Sequence, residues 1–291
     1  MDIEENNMSK VVACIDGSVA ASAVCDAGVW ASRRLDAPLK LLHVLDQQRY
    51  PSTPTDLSGS LSLGAREHLM EELADLDARR NRVAMEQGKL MLDAAKARAM
   101  DKGIDDPELQ QRHGDLLESL LALQDETRLL VIGRQGTEHQ GASAKVGDNV
   151  ERVVRAVYRP ILVVPETFSE PGVIMLAFDG SDTCRKGVEM LAASPLFRGL
   201  DCHLVTVDDG QHARHEELAW AGERLSDGGH QVFTAILEGE VEPALHRYQQ
   251  EHGIELLVMG AYGHSRIREF LLGSTTNEML REARVPHLLL R

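Results

Sequence analysis

The chain has 291 residues, 43% of them hydrophobic, which is material for about two ordinary cores. Its formal charge of −15 divides almost evenly, −8 over residues 1–171 and −7 over residues 172–291. Neither half therefore offers the basic stripe that sequence-independent nucleic-acid binding requires. No apolar run approaches the about 18–20 residues of a membrane span, and the acidic start Met1–Asn6 does not read as a signal peptide, so a cytoplasmic protein is expected.

In chain order, the first predicted strand is Val11–Ile15, closed by Asp16, Gly17 and Ser18. A helix follows, then a second strand, Leu41–Leu45, that includes Val44. Residues 50–55 are Pro- and Thr-rich loop, whereas residues 65–102 lack proline and place Leu69, Leu73 and Leu76 at helical spacing among charged residues. This stretch predicts an extended helical arm, either a longer helix over the sheet or a surface for a second copy or another partner. The apolar strand Leu129–Ile132 runs into Gly133 and Gly136, and ten residues later come Gly147 and Asp148. A last apolar strand, Ile161–Val164, precedes a linker at 166–171.

The same ordered features then return. Asp179, Gly180 and Ser181 repeat Asp16, Gly17 and Ser18 at an offset of 163 residues, and Val207 repeats Val44 at the same offset. Gly260 repeats Gly133 at an offset of 127, so the first copy is longer by 36 residues, the arm region. Alternating β and α units with continuously apolar strands predict two tandem, doubly wound, Rossmann-like parallel-sheet domains, residues 1–165 (with a helical insertion at about 50–103) and 172–291. A ligand is then expected outside the carboxyl ends of the strands, where the strand order reverses.

The second copy carries the sharpest motif. After the apolar run Leu256–Met259 come Gly260 and Gly263, then Gly273 and Ser274 after nine intervening residues, with Thr275 next. Glycines free to adopt positive φ, followed by hydroxyls at a helix start, can turn several backbone N–H groups toward one anion. This G-x2-G-x9-G-[ST] pattern after a strand resembles the nucleotide-binding signature of the universal stress protein family, and the resemblance covers nearly the whole chain as a tandem pair. It implies that the loop, with Met259, Gly260, Gly263, Gly273, Ser274 and Thr275, holds the triphosphate and ribose of ATP, with room for Mg2+. It implies further that Asp179 accepts a hydrogen bond from the nucleoside and that the Val207 backbone meets the adenine edge. Domains of this family pair through their last strands, which makes Ile161–Val164 and His287–Leu290 the expected seam of an intramolecular pseudo-dimer. On the residues alone, Asp179 and Ser181 are turn and helix-cap chemistry, and the two roles are compatible.

The first copy departs from the motif. Its corresponding positions are Asp16, Val44, Gly133, Gly136, Gly147 and Asp148, so a carboxylate replaces the hydroxyl and the loop is one residue longer. A carboxylate about 5 Å from a phosphate charge, at an effective dielectric near 20, opposes binding by about 3 kcal/mol, offset in part by Lys145. One nucleotide per chain is expected, bound in the second half of a stress-response or regulatory protein. Hydrolysis is expected to be slow or absent, since no lysine, general base or carboxylate pair stands beside the loop. A nucleotide-free scaffold is the alternative. Adenylyl transfer is disfavoured because the first turns lack the pyrophosphate loop it needs. His212 and His215 with Glu216 and Glu217 have near-metal spacing without further ligands, and no metal site is expected there. His264, Arg266 and Arg268 read as solvent-facing loop residues. The four cysteines show no C-x-x-C spacing and read as reduced, mostly buried thiols.

Overall fold

The computed structural model describes residues 9–45, 63–135, 147–208, 215–261 and 274–290; of residues 63–67, 69, 148, 208 and 274 only the backbone path is described. The first half runs β1 (Lys10–Cys14), α1 (Ala21–Leu35), β2 (Leu39–Leu45), α2 (Leu63–Asp101), β3 (Glu108–His113), α3 (Leu116–Leu123), β4 (Thr127–Gly133), α4 (Asp148–Ala156) and β5 (Ile161–Val164). The second half repeats the series as β6 (Val173–Ala177), α5 (Asp182–Ala193), β7 (Asp201–Asp208), α6 (His215–Asp227), β8 (Gln231–Glu238), α7 (Val241–Glu251), β9 (Leu256–Gly260), α8 (Ser274–Arg281) and β10 (His287–Leu290).

All ten strands form one sheet in the order β3-β2-β1-β4-β5-β10-β9-β6-β7-β8. Every pair is parallel except β5 with β10, which run antiparallel with His287 opposite Val163 and Leu289 opposite Ile161. The expected seam is therefore present, and it joins two doubly wound halves without a break in the ladder. The composition explains the placing: the seam strands are buried along their whole length, while the outermost strands β3 and β8 carry residues such as Gln110, Gln111, Gln231 and Glu238. Polar side chains at sheet edges discourage pairing with other chains.

Two apolar layers cover the sheet, and each contains residues from both halves. One holds α1, part of α2, α5 and α6, with Trp30 tilted against Phe168 and Phe197 at centroid distances of 5.8 and 6.3 Å. The other holds α3, α4, α7 and α8 around residues such as Val153, Leu245 and Met279. Arg34 of α1 reinforces the junction by donating to the carbonyls of Leu196 (2.9 Å) and Arg198.

The long arm is a single helix of 39 residues, as its proline-free pattern predicts. Its C-terminal part is ordinary sheet cover: Ala84, Leu92, Ala95 and Ala99 are buried, and Gly88 lies so close that a Cβ there would fall 2.6 Å from the His43 ring. Asp26 of α1 fixes this part through Arg98 (2.6 and 2.7 Å) and Lys102 (3.0 Å). The rest of α2 is largely exposed, and no described helix is long and apolar enough to cross a membrane.

Candidate functional site

In the second half the strand order reverses between β6 and β9, with α5 leaving on one face of the sheet and α8 on the other. Such a reversal opens a crevice at the carboxyl ends of the two strands. Asp179 stands at the end of β6, half-buried, and its Oδ1 accepts the N–H of Ser181 at 2.9 Å. Gly180 takes φ +73°, a left-handed conformation that favours glycine. Ser181 caps α5, its Oγ accepting the N–H of Cys184 at 3.2 Å. The turn and cap chemistry read from these residues is thus in place, and it aims the N-terminus of α5 at the crevice.

Across the reversal, Met259 is the buried penultimate residue of β9, and Gly260 closes the strand half-buried. The helix α8 begins at Ser274, and Thr275 is half-buried in its first turn. Gly263 and Gly273 lie outside the described residues, as do His264, Arg266 and Arg268. Val207 sits near the end of β7 in register with Leu237. The structure therefore brings Asp179, Val207, Met259, Gly260, Ser274 and Thr275 to one edge of the sheet.

Three residues that the motif did not single out complete the local geometry. Thr276 is buried, and its Oγ1 lies 3.3 Å from the carbonyls of both Gly260 and Ala261, pinning the first turn of α8 to the end of β9. Arg185, four residues beyond the Ser181 cap, donates to the Gly180 carbonyl (3.3 Å) and to Glu217 (2.8 Å), and lies 5.1 Å from the Trp220 ring. Glu217 in turn leans over Gly180 so closely that a Cβ there would overlap its carboxylate. Glu217 thus serves as a partner for Arg185; His212 of the same near-metal spacing lies outside the described residues, and His215 is exposed at the start of α6. Among the described residues, donor atoms of Glu242, His246 and Glu282 lie within 4.8 Å of one another, at the far end of α8 from Ser274.

The first half shows the same frame with a different interior. Asp16 Oδ1 accepts the Ser18 N–H at 3.0 Å, but α1 starts only at Ala21, without a side-chain cap, and the buried Ser18 hydroxyl has no partner among the described residues. Val44 is in register with Arg112 rather than with an aliphatic residue. Gly133 ends β4, and Gly136 lies outside the described residues. Gly147 precedes α4 and directs its N–H to the Arg134 carbonyl at 3.2 Å, so that donor is not turned toward a ligand. Asp148 opens α4. Arg134 crosses the seam and donates to the last carbonyl of α8, Arg281, at 2.7 Å.

The described thiols carry no sign of reactivity. Burial pushes Cys14 and Cys202 up to about 12 and Cys25 and Cys184 to about 11, and all four are free. Thiols held this far above neutral pH stay protonated and inert.

Comparison with known proteins agrees with the repeat. The model of the universal stress protein family matches residues 8–165 and again 172–291. The universal stress protein Slr1230 of Synechocystis is 34% identical over 289 residues, covering 98% of this chain and all of that relative. Universal stress protein Rv2005c of Mycobacterium tuberculosis is 25% identical over 198 residues, 60% of this chain and 65% of its own. The crystal structure of a universal stress protein from Archaeoglobus fulgidus superposes with a TM-score of 0.70 at 17% identity, covering 99% of this chain and 98% of that one. The chain belongs to the universal stress protein family, as two of its domains in tandem.

Proposed function

We propose that this protein is a stress-response or regulatory protein whose second half binds one adenine nucleotide, ATP with Mg2+. The observation that carries this reading is the facing pair at the strand reversal. A carboxylate, Asp179, already placed as an acceptor, stands opposite the N-terminus of α8, whose first turn Thr276 holds against Gly260. A helix N-terminus presents unpaired N–H groups and the positive end of the helix dipole, the chemistry a triphosphate requires. In this reading residues 172–291 form the binding unit. Residues 1–165, with the helical insertion at about 50–103, form a supporting unit in which Asp148 and the occupied Gly147 N–H oppose a second nucleotide.

Titration calorimetry with ATP and Mg2+ tests the reading. One site per chain is expected, abolished by Gly273→Asp with the fold retained. A stoichiometry near two, or affinity unchanged in the variant, refutes it. Binding rather than turnover is expected, so ADP should not accumulate beyond about one equivalent per chain on incubation with ATP. Purified protein that releases no ligand absorbing at 260 nm, and binds no ATP on titration, would leave the nucleotide-free scaffold as the reading.

The arm gives that scaffold role a specific surface. Leu76, Val83 and Leu90 recur every seven residues on α2 and are 49%, 55% and 64% exposed, a stripe suited to pairing with the arm of a second copy. Light scattering should show a dimer for the native chain and a monomer for Val83→Glu, with ATP binding unaltered. A native monomer removes the proposal. The inert thiols suit a reducing compartment, and we place the protein in the cytoplasm.

A further inference from the structure

Between the C-terminal ends of α1 and α5, over the seam of the sheet, lies a cavity of about 300 Å³ walled by both halves. Its lining includes Leu129, Leu191, Phe197 and Leu288, all at most 2% exposed, and Met190 stands at 36% exposure. Two cations, Arg128 and Arg159, share this apolar wall. Both are half-buried, and the hydrogen bonds they make are to neutral carbonyls: Arg128 to Leu35 (3.1 Å), Arg159 to Gln124 (2.9 Å) and Asp125 (3.5 Å). Among the described residues no carboxylate lies within ion-pairing distance of either guanidinium, although the chain carries 46 acidic residues against 31 basic ones. Burial pulls the Arg128 guanidinium below its ordinary value, with no carboxylate among the described residues to offset it.

We propose that this interdomain cavity binds a small amphipathic carboxylate, an apolar body of medium-chain fatty-acid size seated on the leucine and phenylalanine wall with its anion against Arg128 and Arg159. The cavity has the make-up of a small-molecule site, mostly apolar with a few convergent polar groups at a domain junction. Among the described residues the lining holds no aspartate or glutamate, and apart from the two arginines, Ser9 and Ser194 it is apolar, which selects for negative charge joined to hydrocarbon rather than for a polar anion. Such a ligand touches β4 and the start of β5 in the first half and α5 and β10 in the second, so it would hold the two halves together. This site does not depend on the nucleotide reading, because it lies at the opposite end of α5 from Asp179.

Titration calorimetry of the full chain with octanoate tests this, with octan-1-ol and octylamine as neutral and cationic counterparts. One octanoate per chain is expected, with the alcohol and amine at least tenfold weaker. Arg128→Gln and Arg159→Gln should each weaken octanoate about tenfold, and Ala193→Trp, which adds bulk to the cavity lining, should abolish it. Circular dichroism and melting temperature verify that each variant is folded. The proposal is overturned if octanoate gives no saturable heat, if octan-1-ol binds as tightly, or if folded Ala193→Trp protein binds octanoate unchanged.

Discussion

His287, at the seam between the halves, makes the protein's stability depend on acid in a calculable way. Its ring is fully buried, Nδ1 donates to the Val285 carbonyl at 2.8 Å, and Nε2 has no partner among the described residues. Burial is the main cause that pulls its pKa from 6.5 down to about 4; the Val285 bond opposes the shift, and His246 and Arg134, the charged or titratable groups that act on it, add to it. The unfolded chain therefore takes up this proton near pH 6.5 and the folded chain only near pH 4. Stability falls through that window by up to 1.36 kcal/mol per pH unit, for a total loss of about 3 kcal/mol attributable to one side chain. In His287→Leu the loss should disappear, since leucine continues the apolar strand and takes no proton. Urea unfolding of both proteins at half-unit intervals from pH 7.5 to 4 gives the stability difference directly, and the variant should gain on the native chain steadily below pH 6.5. His203, also depressed by burial, titrates in both proteins and cancels. The carboxylates held low by cations, among them Glu108 and Glu126, lose their contributions only at lower pH. Parallel stability curves for the two proteins would refute the argument.

Two further predictions rest on single contacts. Gly103 and Gly180 both have positive φ, +92° and +73°, but a Cβ at Gly103 meets nothing within 4 Å whereas one at Gly180 meets the Glu217 carboxylate. Both alanine variants should therefore lose about 1–2 kcal/mol from backbone strain, and Gly180→Ala alone should also weaken ATP binding by displacing Glu217 from Arg185; equal nucleotide affinity in the two variants would contradict this. Asp26→Asn should lower stability at pH 7 by about 1–2 kcal/mol, discounted for the partly exposed Arg98 and Lys102, as measured by chemical denaturation. Because those cations hold the Asp26 carboxyl below its ordinary value against the cost of its burial, the difference is present above about pH 4 and vanishes as pH falls through the folded pKa.

Strand positions were legible because buried parallel strands read as unbroken apolar runs; the seam was expected from the family resemblance, and the strands it named, Ile161–Val164 and His287–Leu290, are buried along their length. The arm's existence followed from the absence of proline, but its division into a packed part and an exposed part did not. That division depends on where β2 and β3 end beneath it, which periodicity alone does not contain. At the candidate site, Asp179, Gly180 and Ser181 announced themselves through turn chemistry. Thr276 did not, because its function is to grip carbonyls brought close by tertiary structure, and its neighbour Thr275 is chemically identical in the sequence. Nothing in the sequence pattern set Arg185 apart, because its partners Glu217 and Trp220 are brought to it by α6.

The antiparallel seam points the two crevices in opposite directions, yet α8 reaches both. Its eight residues make a rod of about 12 Å, with Ser274 at the second half's crevice and the Arg281 carbonyl held by Arg134, next to Gly133 of the first. A helix that short does not stretch. Any ligand that draws its N-terminus inward must either carry Arg134 along or break the bond to it, and the guanidinium Nε, buried without a partner among the described residues, leaves that residue little to fall back on. The first half is thereby tied mechanically to the helix that opens beside the crevice of its twin.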